Sequence, residues 1–454
     1  MTTATQQRLV VRAKEIVAAE LERYIGRTAN SQRATGRARA VIPLGVPSSF
    51  QAYDPHPIVA ARARDSWLED IDGHRYVDFN MGFGALYVGH ANSQLRAALV
   101  AQLDDGLLYV TPCESGTTDA ELLRQRFAMP QWRFTNSGTE ATMDAIRVAR
   151  GYTRRTRIVK VEGGYHGHHD AVLVSMKPSL ADAGPAHAPI AVPGSEGMGS
   201  GVLSDITVIA FNDADALEAV LRRGDVAAFI VEPVMENIGI CLPQPGYLEA
   251  VRALCTEYGT ALIFDEVKTG ITAGWGGATG RFGVQPDLVC LAKSIGGGIA
   301  VGAFGGRQEM MDTISDKRVV HQGTYNGNPL SMAAVRATLG TICTPEVMNA
   351  TAARNERMLS DCQEIIERHD LPAHTVEMGA KGCVTWSAEP VHNYRDYKAT
   401  DFDVAYAQWI WGINRGIMLP PGLDEQWLIS VLHTDADVDV AVAVFDDFVG
   451  ALTS

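Results

Sequence analysis

The sequence lacks the marks of a membrane or secreted protein. None of its apolar runs approaches the roughly 18 residues that a membrane-spanning helix requires, and its first residues, MTTATQQRLVVRAKEIV, contain no signal-peptide core. Positive charge is in deficit, because 39 lysines and arginines face 53 aspartates and glutamates, which gives a net charge of −14. We therefore expect a cytoplasmic protein whose main partner is neither nucleic acid nor a membrane.

Cysteine is scarce and shows no metal-binding spacing. The seven cysteines include no CxxC pair, and their odd number fits reduced, structural thiols better than disulfides or zinc. The histidine-rich stretch VEGGYHGHHD has neither the helical ligand spacing nor the nearby carboxylate of a typical metal site. The sequence therefore predicts no metal ion.

What the sequence does contain is an alternation of short apolar runs with helical stretches. Such runs, with little polar alternation, are typical of a sheet covered on both faces, and intervening helices predict right-handed parallel crossovers. The runs are RIVKV (157–161), ITVIAF (206–211), AAFIVEPV (227–234), ALIFDEV (261–267), LVCLA (288–292) and VGAFGG (301–306). The predicted fold class is α/β.

A chain of 454 residues is too long for one hydrophobic core, so we expect at least two domains. Residues 1–65 read as an N-terminal arm helix, a basic loop RTANSQRATGRARA and a segment that joins the small domain. Residues 66–345 form the large domain, which opens with a hairpin at Asp72-Gly73. Residues 346–454 form a smaller α+β domain.

One long segment, residues 176–201, is rich in proline, glycine, alanine and serine. Long segments of this composition inside compact domains are usually lids or disordered. We expect this segment to close over a site, and the sequence leaves open whether it is ordered.

Four stretches carry candidate chemistry, and the first is FTNSGTEATMDAIRVARGY. Here a strand ends at Asn136, and Ser137, Gly138 and Thr139 begin a helix. Free N–H groups at a helix start, with small residues that permit close approach, can bind a phosphate. The alternative is an ordinary serine or threonine helix cap followed by Glu140.

The other three stretches supply a ring, an acid and an amine. Tyr165 could stack on a planar ligand or belong to an ordinary loop, and Asp265 ends an apolar strand where a carboxylate needs a cationic partner. Lys293 follows the next apolar strand, where burial lowers the pKa of an amine and makes it nucleophilic toward aldehydes. Taken alone, Asp265 could be a salt-bridge residue and Lys293 a snorkelling side chain.

Together these four features match the requirements of pyridoxal 5'-phosphate (PLP): a phosphate cradle, a ring plate, an acid for the pyridinium nitrogen and an amine for the aldehyde. A nicotinamide cofactor is the alternative suggested by the glycines of SIGGGIAVGAFGG. Those glycines do not fit GxGxxG and do not lead from a first strand into a helix followed by an acid.

From about Val41 onward the sequence resembles the class III aminotransferase family of fold-type I PLP enzymes. Within that family it most resembles the glutamate-1-semialdehyde 2,1-aminomutases. The resemblance rests on the ordered motifs VDF…GH, NSGTEATM.AIR.ARG, GYHGHHD, VEPV..N, DEV.TG, LAKSIGGG..VGAFGG and GT..GNPLSMAA. It implies a large, mostly parallel sheet domain and a smaller α+β domain.

The resemblance also implies roles for individual residues. Lys293 would form a Schiff base with PLP, Asp265 would pair with the pyridine nitrogen and Tyr165 would stack on the ring. Thr324 would reach the phosphate of a neighbouring subunit, which implies a homodimer with shared sites. The full cofactor-binding set implied is Ser137, Gly138, Thr139, Tyr165, His166, Glu232, Asn237, Asp265, Val267, Lys293 and Thr324.

The substrate side departs from the aminomutase pattern. In GVPSSFQAY, Gln51 stands where the aminomutases carry an arginine that grips the substrate carboxylate, and an amide cannot replace that charged bidentate contact. Ser48 and Glu425 do match aminomutase positions, and the 176–201 segment matches a gating region that favours intramolecular transfer.

We therefore predict an aminotransferase that moves an amino group from an amine, a β-amino acid or a non-standard amino acid to a carbonyl acceptor. The alternative within the family is the intramolecular aminomutase. A third alternative, a catalytically silent scaffold on the same fold, is disfavoured because Lys293 and Asp265 are both present.

Overall fold

The computed structural model describes residues 3–422 and 425–454. Its N-terminal part consists of two helices and an antiparallel three-strand meander, which a later strand extends. The elements are α1 (Thr3–Arg27), α2 (Ala29–Ala38), β1 (Ala60–Arg64), β2 (Trp67–Asp70) and β3 (Arg75–Asp78). The hairpin predicted at Asp72-Gly73 joins β2 to β3, and Gly73 has φ +88°, the left-handed value that such a turn favours.

The expected basic loop after α1 is wrong, because residues 29–38 form helix α2. Its N-terminus is capped from a distance: the Asp72 carboxylate accepts hydrogen bonds from the N–H groups of Asn30 (2.6 Å) and Ser31 (2.9 Å) and from the Ser31 hydroxyl (2.6 Å). A carboxylate at this end also interacts favourably with the helix dipole. The local sequence carries no such cap, so the helix could not be recognised from it.

The central part of the chain forms the seven-stranded sheet. Before it come α3 (Met81–Gly84), α4 (Ser93–Asp105) and α5 (Glu114–Phe127). Its elements in chain order are β4 (Gln131–Thr135), α6 (Gly138–Thr153), β5 (Arg157–Val161), β6 (Ile206–Ile209), α7 (Ala214–Leu221), β7 (Val226–Val231), α8 (Tyr247–Glu257), β8 (Ala261–Asp265), α9 (Gly277–Phe282), β9 (Leu288–Leu291), β10 (Gly302–Gly306), α10 (Gln308–Ser315) and α11 (Pro329–Ala337). The strand order is β4-β10-β9-β8-β7-β5-β6.

Both faces of this sheet are covered, as the apolar runs predict. Along β7, successive side chains point to opposite faces. Ile230 packs with Ala145 and Ile146 of α6, whereas Phe229 packs in a second cluster with Leu248 of α8. The α/β class with a large, mostly parallel sheet is therefore confirmed.

One strand of the sheet differs from the expected parallel arrangement. Strand β10 pairs antiparallel with both β9 and β4, whereas the neighbouring pairs from β9 to β6 are parallel. The connection from β9 to β10 spans only residues 292–301 and holds a single 3₁₀ turn, Lys293–Gly296. A parallel crossover usually needs a dozen or more residues, so this short connection reverses the chain.

The C-terminal part combines helices with short strands. Its elements are α12 (Pro345–Arg368), β11 (His374–Met378), β12 (Lys381–Thr385), α13 (Tyr394–Lys398), α14 (Phe402–Asn414), β13 (Ile417–Met418), β14 (Trp427–Leu428) and α15 (Asp435–Thr453). Helix α1 joins this part, since Leu9, Ala13 and Ile16 are buried in one cluster with side chains of α12, α14 and α15. The limits proposed for the domains, 1–65, 66–345 and 346–454, remain predictions.

Segment 176–201 contains neither an α-helix nor a named strand. It is anchored through α13: the Tyr394 hydroxyl donates to the carbonyl oxygen of Pro178 (2.8 Å), and the Arg395 guanidinium donates to that of Gly184 (2.9 Å) and to Glu162 (2.9 Å). The segment is thus attached to the C-terminal part of the chain. Across residues 3–422 and 425–454, no helix combines the length and apolar character needed to cross a bilayer.

Candidate active site

A cavity of about 400 Å³ opens at the carboxyl ends of the parallel strands. The ends of β8 and β9 and the start of α6 all reach it, as expected for ligand sites in open α/β sheets. Its described lining residues include most of the predicted set: Ser137, Gly138, Thr139, Tyr165, His166, Glu232, Asn237, Asp265, Val267, Lys293 and Glu425. Residues from six separate stretches of the sequence therefore meet in one place.

The start of α6 forms one end of the cavity. Ser137 is the N-cap, and its hydroxyl accepts the N–H of Glu140 (3.2 Å). The first residues of a helix have no intrahelical acceptors for their N–H groups, so Gly138 and Thr139 can offer theirs to an anion. A side chain at Gly138 would place its Cβ 2.8 Å from Cγ2 of Val267, which explains why only glycine fits there.

Asp265 ends β8 and is held in a fixed orientation. One carboxylate oxygen lies 2.8 Å from Nδ1 of His166, and the other accepts the backbone N–H of Val267 (3.0 Å). Nε2 of His166 is buried with no hydrogen-bond partner among the described residues. Asp265 is itself only 3% exposed, so solvent screens a charge at this position weakly.

Tyr165 lies on the cavity wall and is held from two sides. Its backbone N–H donates to Oε1 of Glu232 (3.0 Å), and the ring of Phe50 packs edge-on against it with centroids 5.8 Å apart. The second oxygen of Glu232 accepts the side-chain amide of Asn237 (2.8 Å), which fixes that amide as well. Burial raises the pKa of Glu232, and burial together with Asp265 raises the pKa of Tyr165.

Lys293 begins the 3₁₀ turn that follows β9. Its backbone has φ +47°, a left-handed value that is uncommon for a residue with a side chain. Burial and the nearby Lys268 ammonium lower the pKa of Lys293 to about 8. A larger fraction of this amine is therefore unprotonated near neutral pH than of an ordinary lysine.

A second group of charges lies at the cavity and beside it, and of its members the sequence analysis named only Glu425. Lys268 lines the cavity and forms an ion pair with Glu425, while Lys381 Nζ lies 2.7 Å from Oε2 of Glu236. All four side chains are at least nine-tenths buried. The sequence ALIFDEVKTG does place Lys268 shortly after an apolar strand, as Lys293 is placed after the next one. The partner of Lys268, Glu425, lies far away in sequence, so the pairing could not be predicted.

Three predicted residues do not line this cavity. Ser48 and Gln51 close a 3₁₀ turn on each other, with the backbone N–H of Ser48 donating to the Gln51 side chain (3.2 Å), and Phe50 from the same turn faces the cavity instead. Thr324 is exposed and borders a separate depression of about 600 Å³. None of residues 176–201 lines the cavity, so the expected lid stays a prediction.

Comparison with known proteins identifies the family. The family model for Aminotransferase class-III matches residues 49–399. A glutamate-1-semialdehyde 2,1-aminomutase of Archaeoglobus fulgidus is 38% identical over 415 residues, which cover 91% of this chain and 97% of that protein. This chain belongs to the class III aminotransferases, which are PLP-dependent enzymes.

Solved structures agree with this assignment. An omega-transaminase from Sphaerobacter thermophilus superposes with a TM-score of 0.89 at 32% identity, covering 93% of this chain and 98% of that one. A glutamate-1-semialdehyde-aminomutase from Pseudomonas aeruginosa, solved in complex with PMP, gives a TM-score of 0.90 at 28% identity, covering 97% and 99%. The predicted fold type and cofactor are thus confirmed.

The residues of this cavity fit PLP. The helix start at Gly138 and Thr139 offers N–H groups without intrahelical acceptors, which suits a phosphate, and the absence of a Cβ at Gly138 lets Val267 pack beside it. The Asp265 carboxylate is buried and has no lysine or arginine partner among the described residues, which suits a protonated pyridine nitrogen. Lys293 supplies an amine of lowered pKa in the same cavity.

Proposed function

We propose that this chain is an aminotransferase that moves an amino group from an amine, a β-amino acid or a non-standard amino acid to a carbonyl acceptor. The observation that carries the proposal is the absence of arginine from the described lining of the cavity. A site that grips an amino-acid carboxylate normally uses the planar, bidentate guanidinium. The rings of Phe50 and Phe83 are among the apolar side chains that line the cavity, and they suit an uncharged substituent.

Each cofactor-facing residue has a proposed task. PLP, when bound, supplies an aldehyde that links to amines and a ring that withdraws electrons from the linked carbon. The N–H groups of Gly138 and Thr139 would bind its phosphate, and Tyr165 and Val267 would contact its ring. Asp265, oriented by His166, would keep the pyridine nitrogen protonated, and Asn237, held by Glu232, would approach the phenolic oxygen.

Lys293 has two proposed tasks. Its amine would hold the cofactor through its aldehyde, and with an amino donor bound in its place the freed Nζ would move a proton to and from the substrate carbon. The lowered pKa suits both tasks, since each needs an unprotonated amine. The neighbouring Lys268 cannot share them, because Glu425 keeps its ammonium paired.

A second candidate is the intramolecular aminomutase. It is supported by the curated relative at 38% identity, whose name states that reaction. The structural neighbour named as an omega-transaminase supports the first candidate at 32% identity. The orientation of Gln51 does not decide between them, because its side chain is used within its own turn.

We also propose that the working enzyme is a cytoplasmic homodimer with sites shared between subunits. Thr324 is exposed and lies away from the cavity of its own chain, as a residue serving the neighbouring subunit would. Val110, on the same depression, is 73% exposed, and Tyr325, the next residue in sequence after Thr324, is 61% exposed. Large exposed apolar side chains near a predicted intersubunit contact support an interface there. Mass determination in solution tests the dimer, and Thr324→Ala is expected to weaken PLP retention.

The reaction is tested with the purified holoenzyme and single amino donors. Each donor is added without any carbonyl acceptor, and the visible band of lysine-bound PLP is followed. Loss of the band with release of a ketone or aldehyde, for amines or β-amino acids, supports the aminotransferase. If glutamate semialdehyde is converted efficiently and only diamino compounds bleach the band, the aminomutase is the function instead.

A further inference from the structure

The cavity contains one cationic side chain that the cofactor does not use. Among the described residues that line it, only Lys268 and Lys293 are lysines, and none is an arginine. Lys293 is committed to PLP under the proposed function. Lys268 is therefore the only remaining ammonium in the described lining, and it follows the cofactor contacts Asp265 and Val267 directly in sequence.

The Lys268 ammonium is already occupied. Nζ donates to a carboxylate oxygen of Glu425 and to the backbone carbonyl of Glu236, and the two paired side chains are only 5% and 8% exposed. Burial alone would lower the pKa of Lys268, but the Glu425 carboxylate outweighs it and the pKa is raised. The side chain is thus a true cation, held by a carboxylate of the protein.

The surrounding residues keep Lys268 in place. Lys381 Nζ donates to the carbonyl oxygen of Lys268 (2.5 Å) and pairs with Glu236 (2.7 Å). The Gln426 amide donates to the same Glu236 carbonyl that Lys268 contacts (2.5 Å). Lys268 is therefore held at its backbone carbonyl by Lys381 and at its ammonium by the Glu236 carbonyl. The Glu425 carboxylate accepts from the same ammonium.

This arrangement acts against a carboxylate on the substrate. A substrate carboxylate could reach a cation in the described lining only by displacing Glu425, which would leave a carboxylate with little solvent around it and no partner. A donor without a carboxylate leaves the ion pair intact. The ion pair therefore discriminates by making the binding of a donor with a carboxylate less favourable, and it needs no contact with a donor that lacks one.

We propose that Lys268 is a carboxylate-binding cation and that the Glu425 carboxylate occupies it permanently. A substrate carboxylate therefore finds no free cation there, and the enzyme selects amino donors without a carboxylate near the reacting carbon. This inference rests on the proposed aminotransferase function and narrows its substrate class to amines. Glu425 is then a specificity-determining residue, and removal of its charge exposes Lys268 to carboxylates from solution.

The test is a calorimetric titration of the holoenzyme with propionate. We expect weak binding to the wild type and binding roughly tenfold to hundredfold tighter to Glu425→Gln, the range for one charge-assisted hydrogen bond. The double variant Lys268→Met/Glu425→Gln is expected to lose that gain. Glu69→Gln, which breaks the surface pair between Arg62 and Glu69, is the matched control and should bind like the wild type.

Two results overturn the proposal: propionate binding no tighter in Glu425→Gln than in the wild type, or an equal gain in the double variant. The visible PLP band shows that each variant is folded and loaded. If Glu425→Gln does not load, Glu425→Asp replaces it, and this shorter carboxylate should give a smaller gain than full removal of the charge. No gain in Glu425→Asp then contradicts the proposal.

Kinetics separate this inference from the proposed function. A β-amino acid and the amine that lacks only its carboxylate are compared as donors. In Glu425→Gln the ratio of kcat/KM for the acid to that for the amine should rise about tenfold or more. If neither donor bleaches the PLP band in the wild type, the proposed function fails, while the propionate titration still decides the role of Lys268.

Discussion

The two halves of the cavity are built in different ways. The proposed cofactor half uses residues at strand ends and at one helix start, where Asp265, Gly138 and Lys293 each belong to a short local motif. The proposed substrate half is built around Lys268, which pairs with Glu425 from a distant segment, and the buried pair of Glu236 and Lys381 contacts Lys268. The first half depends on local sequence, whereas the second depends on pairs of residues that lie far apart in sequence.

The largest effect is expected from Lys293→Ala, which removes the reactive amine of the cofactor half. We expect the visible band to disappear and amino transfer to fall by at least about 10²- to 10⁴-fold, the usual contribution of one positioned proton-transfer group. Half-reactions with an amine donor measure the loss. Lys268→Ala should keep the visible band. If this variant also loses the band, the claim that only Lys293 binds the cofactor fails.

The next effect concerns the buried pair of Lys381 and Glu236, which contacts Lys268, as a source of stability. Lys381→Met leaves the Glu236 carboxylate buried without its partner, since these side chains are 2% and 0% exposed, and should cost about 3–5 kcal/mol in the free energy of unfolding. Urea unfolding of the holoenzyme measures this.

The matched double variant Lys381→Met/Glu236→Leu should recover most of that loss, because an apolar pair of similar volume replaces two buried charges. A double variant as unstable as the single one would show that the pair is required for packing beyond its charge.

A moderate effect links the two halves through pH. The Lys293 amine has a pKa lowered to about 8, first by burial and then by Lys268, and only the unprotonated amine attacks an aldehyde. The rate of PLP uptake by cofactor-free protein should therefore rise with pH and level off above about 8. Lys268→Met removes one cause of the lowering and should shift this profile to higher pH. An unchanged profile would mean that the halves are electrostatically independent.

The smallest effect is expected from a variant outside the cavity, which serves as a reference for the others. Asp72→Ala removes the acceptor for Asn30 and Ser31 at the start of α2 and should cost about 1 kcal/mol in the free energy of unfolding. Amino transfer and the PLP band should be unaffected. A change in the band would show that α2 communicates with the cavity.

The contrast between local motifs and distant pairs also explains which parts of the site could be predicted from the sequence. Motifs around Gly138, Tyr165, Asp265 and Lys293 predicted the cofactor half, because a strand end followed by a loop or helix start is a local pattern. The pair between Lys268 and Glu425 joins residues that only the folded chain brings together, so no spacing could reveal it.

The fold shows the same limit. Apolar runs predicted the covered sheet, but the direction of β10 depended on the length of the connection before it. Helix α2 was missed because its cap, Asp72, comes from the hairpin turn. The direction of β10 depends on a short connection, and the start of α2 depends on a residue distant in sequence. Neither feature follows from the local pattern of residues.

Borohydride reduction of the holoenzyme, followed by peptide mapping, tests the central claim most directly. Two lysines, Lys268 and Lys293, line the same cavity, and of these two only Lys293 has a lowered pKa. The account predicts that the reduced cofactor is found on the peptide containing Lys293. A label on Lys268, on any other side chain, or on none would contradict it.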